Sequence, residues 1–122
     1  MPPDLLFVYG TLHPDRAPAE IASIVRRFRP ISPATILGRL YDLGPYPGVH
    51  LDVPDPDPVP GHLFELPEGP TVLPALDAYE DYDPASPETS LYLRQRTSAS
   101  LPDGSSTECW VYVYNQPIPS GL

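Results

Sequence analysis

Glu80 closes a short amphipathic run, PTVLPALDAYEDY, over residues 70–82. Leu73, Leu76 and Glu80 are spaced i, i+3 and i+7, so a helix places all three on one face. The leucines must face a core. The carboxylate then ends an apolar stripe, in the last turn, near the negative end of the helix dipole. Desolvation and the dipole both favour the neutral acid, which moves its pKa toward a range where one carboxyl can take and return a proton. The alternative is a last turn that bends outward and leaves Glu80 solvated. Asp77 is a weaker instance of the same pattern; its better reading is a surface position, where Asp77→Asn would be near neutral.

A second candidate lies in the backbone. In LLFVYGTL, residues 5–12, an apolar strand runs directly into Gly10 and Thr11. A tight turn accounts for that ending. So does a cradle in which Gly10 admits a ligand close to the chain, successive N–H groups from Tyr9 to Leu12 hold an anion, and the Thr11 hydroxyl adds a donor. A nest made of backbone suits a chain of net charge −9, which has few cationic side chains to spare for any site.

Several other chemistries are excluded or disfavoured. All seven basic residues are arginines, so a Schiff-base lysine and a P-loop lysine are absent. The acidic balance argues against nucleic acid and anionic membrane surfaces as partners. His13, His50 and His62 are far apart and none is close to Cys109, so no zinc spacing is present and no cofactor or metal is expected. Cys109 reads as a buried small hydrophobe, since no nearby histidine activates it. With one cysteine, no leader-like segment and no long apolar run, the expected compartment is the cytoplasm.

The elements that must carry these groups follow from periodicity and punctuation. Residues 1–122 read as one domain, with 115–122 as a loose tail. DLLFVYG is a central strand, apolar on both faces. APAEIASIVRRF is helical, with Ile21, Ile24, Val25 and Phe28 inward and Arg26 and Arg27 outward, ended by Pro30 and Pro33. ATILGRLYDLG is extended, and GPYPGV is a turn. DVPDPDPVPG reads as a stiff acidic loop, excluded from strand interiors by its prolines, before a short strand in GHLFEL. Val72 to about Glu80 is a helix with Thr71 as N-cap and Pro74 in its first turn. Residues 90–115 form a hairpin about PDG, with Cys109, Val111 and Val113 on one face and Trp110, Tyr112 and Tyr114 on the other. Arg39, Arg94 and Arg96 are expected in surface ion pairs. The sum is an α+β fold: a small mixed β-barrel of about six strands with two short helices packed beside it.

FVYGTL, GRLYDLGPYPGV, VPGHLFEL, LDAYEDYDP and CWVYVY, in that order, make the chain resemble the γ-glutamylcyclotransferase-like (AIG2-like) family from Leu5 to about Tyr114. The first and fourth segments are the specific ones. The resemblance implies a cofactor-free enzyme that cyclises a γ-glutamyl amine or γ-glutamyl amino acid to 5-oxoproline. It implies Glu80 as general acid/base and the Tyr9, Gly10, Thr11 and Leu12 loop as the holder of the α-amino-acid end of this small-molecule substrate. Tyr46 and Tyr114 are the expected walls. Two departures stand out: Asp81 where members typically carry glycine, and His62 where many carry glutamate. The added carboxylate of Asp81 would lift the pKa of Glu80 further or narrow the substrate range. The competing functional class is a non-catalytic binding or interaction module that uses the same pocket. A weaker third reading is a related acyl or amide transfer on a glutamyl-tagged intermediate.

Overall fold

A computed structural model describes residues 4–9, 22–42 and 47–117. Strand β1 (Leu5–Val8) lies between β4 (Asp57–Glu65), antiparallel, and β6 (Ser106–Tyr114), parallel. Strand β2 (Arg29–Asp42) flanks β4, and β5 (Tyr92–Ser100) flanks β6. A pairing of Thr35 with Ser100 joins β2 to β5 and closes a five-stranded mixed barrel. The sixth strand, β3 (Pro47–His50), adds to the far part of β2. Helices α1 (Ala22–Val25) and α2 (Val72–Tyr79) pack outside.

Strand alternation divides the apolar residues into two clusters. Phe7, Ile36, Val49, Val59, Leu63, Ala99, Cys109, Val111 and Val113 fill the barrel. Leu6, Val8, Phe64, Tyr92 and Tyr112, from the opposite faces of the strands, pack against Val25, Phe28, Val72 and Leu76 from the helical side. β1 is thus buried on both faces, as its unbroken apolar run requires. The 109–114 alternation divides as the sequence predicts.

The prolines divide differently from expectation. Pro58 and Pro60 lie inside β4, and Pro30 and Pro33 lie inside β2. The register explains three of them. Pro33 pairs with His62, Thr35 with Pro60 and Leu37 with Pro58. These pairs fall two residues apart, so they belong to one class of antiparallel pair, the class that exchanges no hydrogen bonds. No ladder bond is lost there, and the missing N–H groups point away from the partner strand. Pro30 is accommodated differently, by a register shift between Pro30 and Ser32. Gly61, next to these pairs, is required by a close approach: a Cβ there would lie 2.5 Å from the Phe7 ring and 2.5 Å from the Val8 carbonyl oxygen.

Helix α2 covers the outer cluster through Val72 and Leu76. Thr71 precedes it but makes no side-chain capping bond; its backbone is already helical (φ −97°, ψ −10°), which turns the hydroxyl away from the N-cap role. The other end is tightly closed. The Tyr82 N–H donates to the Asp77 carbonyl at 2.9 Å and the Asp81 N–H to the Ala78 carbonyl at 3.2 Å, both bonds of a Schellman motif. Asp81 occupies the left-handed position of that motif with φ 58°.

Candidate active site at the end of helix α2

Glu80 is the C-cap residue of α2, and its N–H donates to the Leu76 carbonyl at 3.0 Å. The Schellman closure therefore fixes its backbone on the turn that Leu76 buries. Its side chain is half-buried, and burial raises its pKa from 4.5 to about 7. Of the two readings of the sequence, the structure takes the desolvated one. Asp81 is exposed, and the shift on Glu80 comes from burial, so the expected lift from a neighbouring carboxylate is not what drives it. Where the family pattern has glycine, Asp81 meets a left-handed backbone requirement. His62 lies exposed on β4.

Tyr9 follows directly on β1, at the end of the barrel. Its ring centroid lies 6.4 Å from that of Phe7, and its hydroxyl donates to the Tyr112 carbonyl at 2.5 Å. Burial, with the charges of Tyr92 and Glu80, drives the Tyr9 phenol well above its ordinary range. The Tyr112 phenol is pushed up as well, by burial first, then by Asp77, with Glu80 contributing. Glu80 is thus an electrostatic neighbour of both tyrosines. Tyr9, which the sequence reading groups with Glu80, is close enough to feel its charge. Gly10, Thr11, Leu12 and Tyr46 lie outside the described residues.

Tyr114 sits one ring away from Tyr9's surroundings. It packs edge-on against Tyr92 (centroids 5.7 Å) and stacks with His50 (6.2 Å), while Tyr41 meets His50 edge-on at 5.3 Å. The Tyr92 hydroxyl donates to the Pro47 carbonyl at 2.6 Å, which ties this aromatic row to β3.

Asp77 departs most from expectation. It is 4% exposed, not a surface residue. Arg94 donates to it through Nε (2.8 Å) and Nη2 (3.2 Å), and the Tyr112 hydroxyl donates at 2.7 Å. A carboxylate with these partners is an anchor, and Asp77→Asn is not expected to be neutral. Arg94 is not a plain surface cation either: its side chain is 17% exposed and its guanidinium lies 4.4 Å from the Trp110 ring centroid. The missed signal was in the hairpin. Arg94 and Tyr112 are direct cross-strand partners, so both present to the face that α2 covers. A cleft of about 530 Å³ beside α2, lined by Pro74, Asp77, Tyr82, Asp83 and Arg94 among others, opens on this pair and does not include Tyr9 or Glu80.

Comparison with known proteins gives a consistent fold. A family profile described as Gamma-glutamyl cyclotransferase, AIG2-like, matches residues 6–121. Among solved structures, an AIG2-like protein of Mus musculus superposes with a TM-score of 0.69 at 22% identity, over 96% of this chain and 80% of that one. YkqA of Bacillus subtilis gives 0.68 at 23% identity, over 93% of this chain and 36% of that one. A structure titled Gamma-glutamyl cyclotransferase gives 0.64 at 17%, over 93% and 67%. The chain therefore spans about a third of the length of YkqA and most of the mouse protein. No curated protein matches it.

Proposed function

The chain belongs to the γ-glutamyl cyclotransferase, AIG2-like family, and from that premise we propose that it cyclises a small γ-glutamyl compound to 5-oxoproline with release of an amine. The observation that carries this reading is Glu80: a half-buried carboxyl, poised at about pH 7 by desolvation, beside Tyr9 at the start of the YGTL segment.

In the reaction the substrate's α-ammonium gives a proton to the Glu80 carboxylate. The freed α-nitrogen attacks the γ-carbonyl carbon, forming the five-membered ring and a tetrahedral oxyanion. The bond from that carbon to the leaving nitrogen then breaks, Glu80 returns the proton to that nitrogen, and the ring nitrogen gives up its second proton to the released amine, which departs as an ammonium. The carboxyl ends as it began, and no other reactant is needed. Because the nucleophile and electrophile share one molecule, folding the substrate supplies an effective molarity that can reach ~10⁵ M or more. Backbone N–H groups of Tyr9 to Leu12 are proposed to hold the substrate carboxylate or the developing oxyanion.

The test is 5-oxoproline release from a panel of γ-glutamyl amines and amino acids by wild type and Glu80→Gln. Activity in the first and its loss in the second, with binding by calorimetry retained, supports the reading. Binding without turnover by wild type transfers the site to the binding-module class.

A further inference from the structure

Asp77 of α2 and the C-cap Glu80 are three residues apart and share a face, yet among the described residues hydrogen-bond partners are seen for the Asp77 side chain alone. Its two oxygens take three donors, two from Arg94 of β5 and one from Tyr112 of β6. Tyr112 in turn accepts the Tyr9 hydroxyl on its carbonyl. The contacts form one chain, from β5 through α2 to β6 and on to β1, and Glu80 stands beside its Tyr9 and Tyr112 members.

Building on the reading of Glu80 as the proton carrier, we infer that the Asp77–Arg94 pair is its positioning device. It pins the last turn of α2 to the β5–β6 hairpin and places a cancelled pair of charges about one helical turn from the Glu80 carboxyl. The cancellation matters. A lone carboxylate at 77 would oppose ionisation of Glu80, and a lone guanidinium at 94 would favour it. Among the described residues, Tyr9, just after β1, and Tyr112 of β6 feel the charge of Glu80, and Tyr79, the exposed Asp81 and Tyr82 flank it along the chain. His50 of β3 lies further out, stacked on Tyr114. The hydroxyls of Tyr9 and Tyr112 are held neutral by burial, so they do not compensate a charge left by either partner.

The experiment compares wild type, Asp77→Asn, Arg94→Gln and the double variant. The Glu80 carboxyl is titrated by carbon-13 NMR, assigned with Glu80→Gln, and 5-oxoproline release is followed against pH. Asp77→Asn is expected to lower the Glu80 midpoint by about one pH unit and Arg94→Gln to raise it by about as much. The double variant should titrate near wild type, yet its kcat should fall about tenfold to a hundredfold with little change in KM, because the pin is gone while the charges still cancel. A merely structural pair would lower stability without moving the midpoint in opposite directions. Midpoints that do not move, or that move together, overturn the electrostatic role. A double variant with wild-type kcat overturns the pinning role, and it buries no lone charge if either single variant fails to fold. An inactive wild type removes the cyclotransferase reading alone, since the titration still decides the pair.

Discussion

The two faces of the barrel strands use the same alternation for different ends. Inward, β6 presents Cys109, Val111 and Val113 to a cluster with no charged side chain. Outward, it presents Trp110, Tyr112 and Tyr114 to a layer that holds Asp77 and Arg94, with Glu80 at the end of α2, while Tyr9 packs against the barrel cluster and reaches this layer only through its hydroxyl on the Tyr112 carbonyl. Cys109 illustrates the contrast. It is 1% exposed, and burial pushes its thiol up to about 11, so it serves as apolar volume. Burial of Glu80 to about 7 instead leaves a group that changes state near neutrality. Desolvation acts on both; what differs is whether the shifted group ends near working pH.

The sharpest test of that division is Glu80→Gln. Turnover of an active γ-glutamyl compound should fall by about 10² to 10⁴, the usual worth of a positioned acid–base group, with the fold intact by circular dichroism. Residual activity near wild type would dissolve the division. The converse test is in the barrel. Ile36→Ala, at a site 1% exposed within the barrel cluster, should lose about 2–5 kcal/mol of stability in urea melts, with kcat per folded molecule far less affected than by Glu80→Gln.

A third expectation joins stability to pH. Folding raises the Glu80 pKa from 4.5 to about 7, so the folded state prefers the neutral acid. Wild type therefore loses stability as pH rises from about 4.5 through 7, and the loss is complete above 7. Glu80→Gln has no proton to lose. It should melt several degrees above wild type at pH 8, a gain of about 2–3 kcal/mol, and match it near pH 4. Equal melting points at pH 8 would mean that Glu80 is solvated. The smallest effect is expected at Asp81. Glycine relieves the left-handed strain, and Asp81→Gly should add up to about 1 kcal/mol in thermal melts without moving the pH–rate profile.

The legible parts of the fold were those in which a residue's role depends on its near neighbours in sequence. The β6 alternation, the apolar β1 run and the Leu73–Leu76–Glu80 stripe all reported their faces correctly. Asp77 was misread because periodicity assigns a face and not a partner. Its partners are 17 and 35 residues away, and they converge only once β5 has paired with β6 in the observed register. The proline-rich segment from 52 to 61, read as loop, is loop only to 56, and its remainder in β4 was misread for a related reason. Proline breaks a strand only where its N–H would be used, and that depends on the neighbouring strand. Thr71 has a capping side chain, but the backbone entering α2 does not let it cap.

The placement of Pro58 and Pro60 also bears on how this acidic protein behaves in a crowd of its own copies. β1 pairs with β4 only from His62 to Glu65, and among the described residues no strand pairs with the other side of 57–60. An open strand edge of that kind ordinarily recruits a further strand from another molecule and seeds precipitation. Here the two positions whose donors would face outward are both proline. The edge therefore offers carbonyls but no donors there to a would-be further strand. Replacing both with threonine would restore the outward N–H groups and give concentrated solutions a site for edge-to-edge growth.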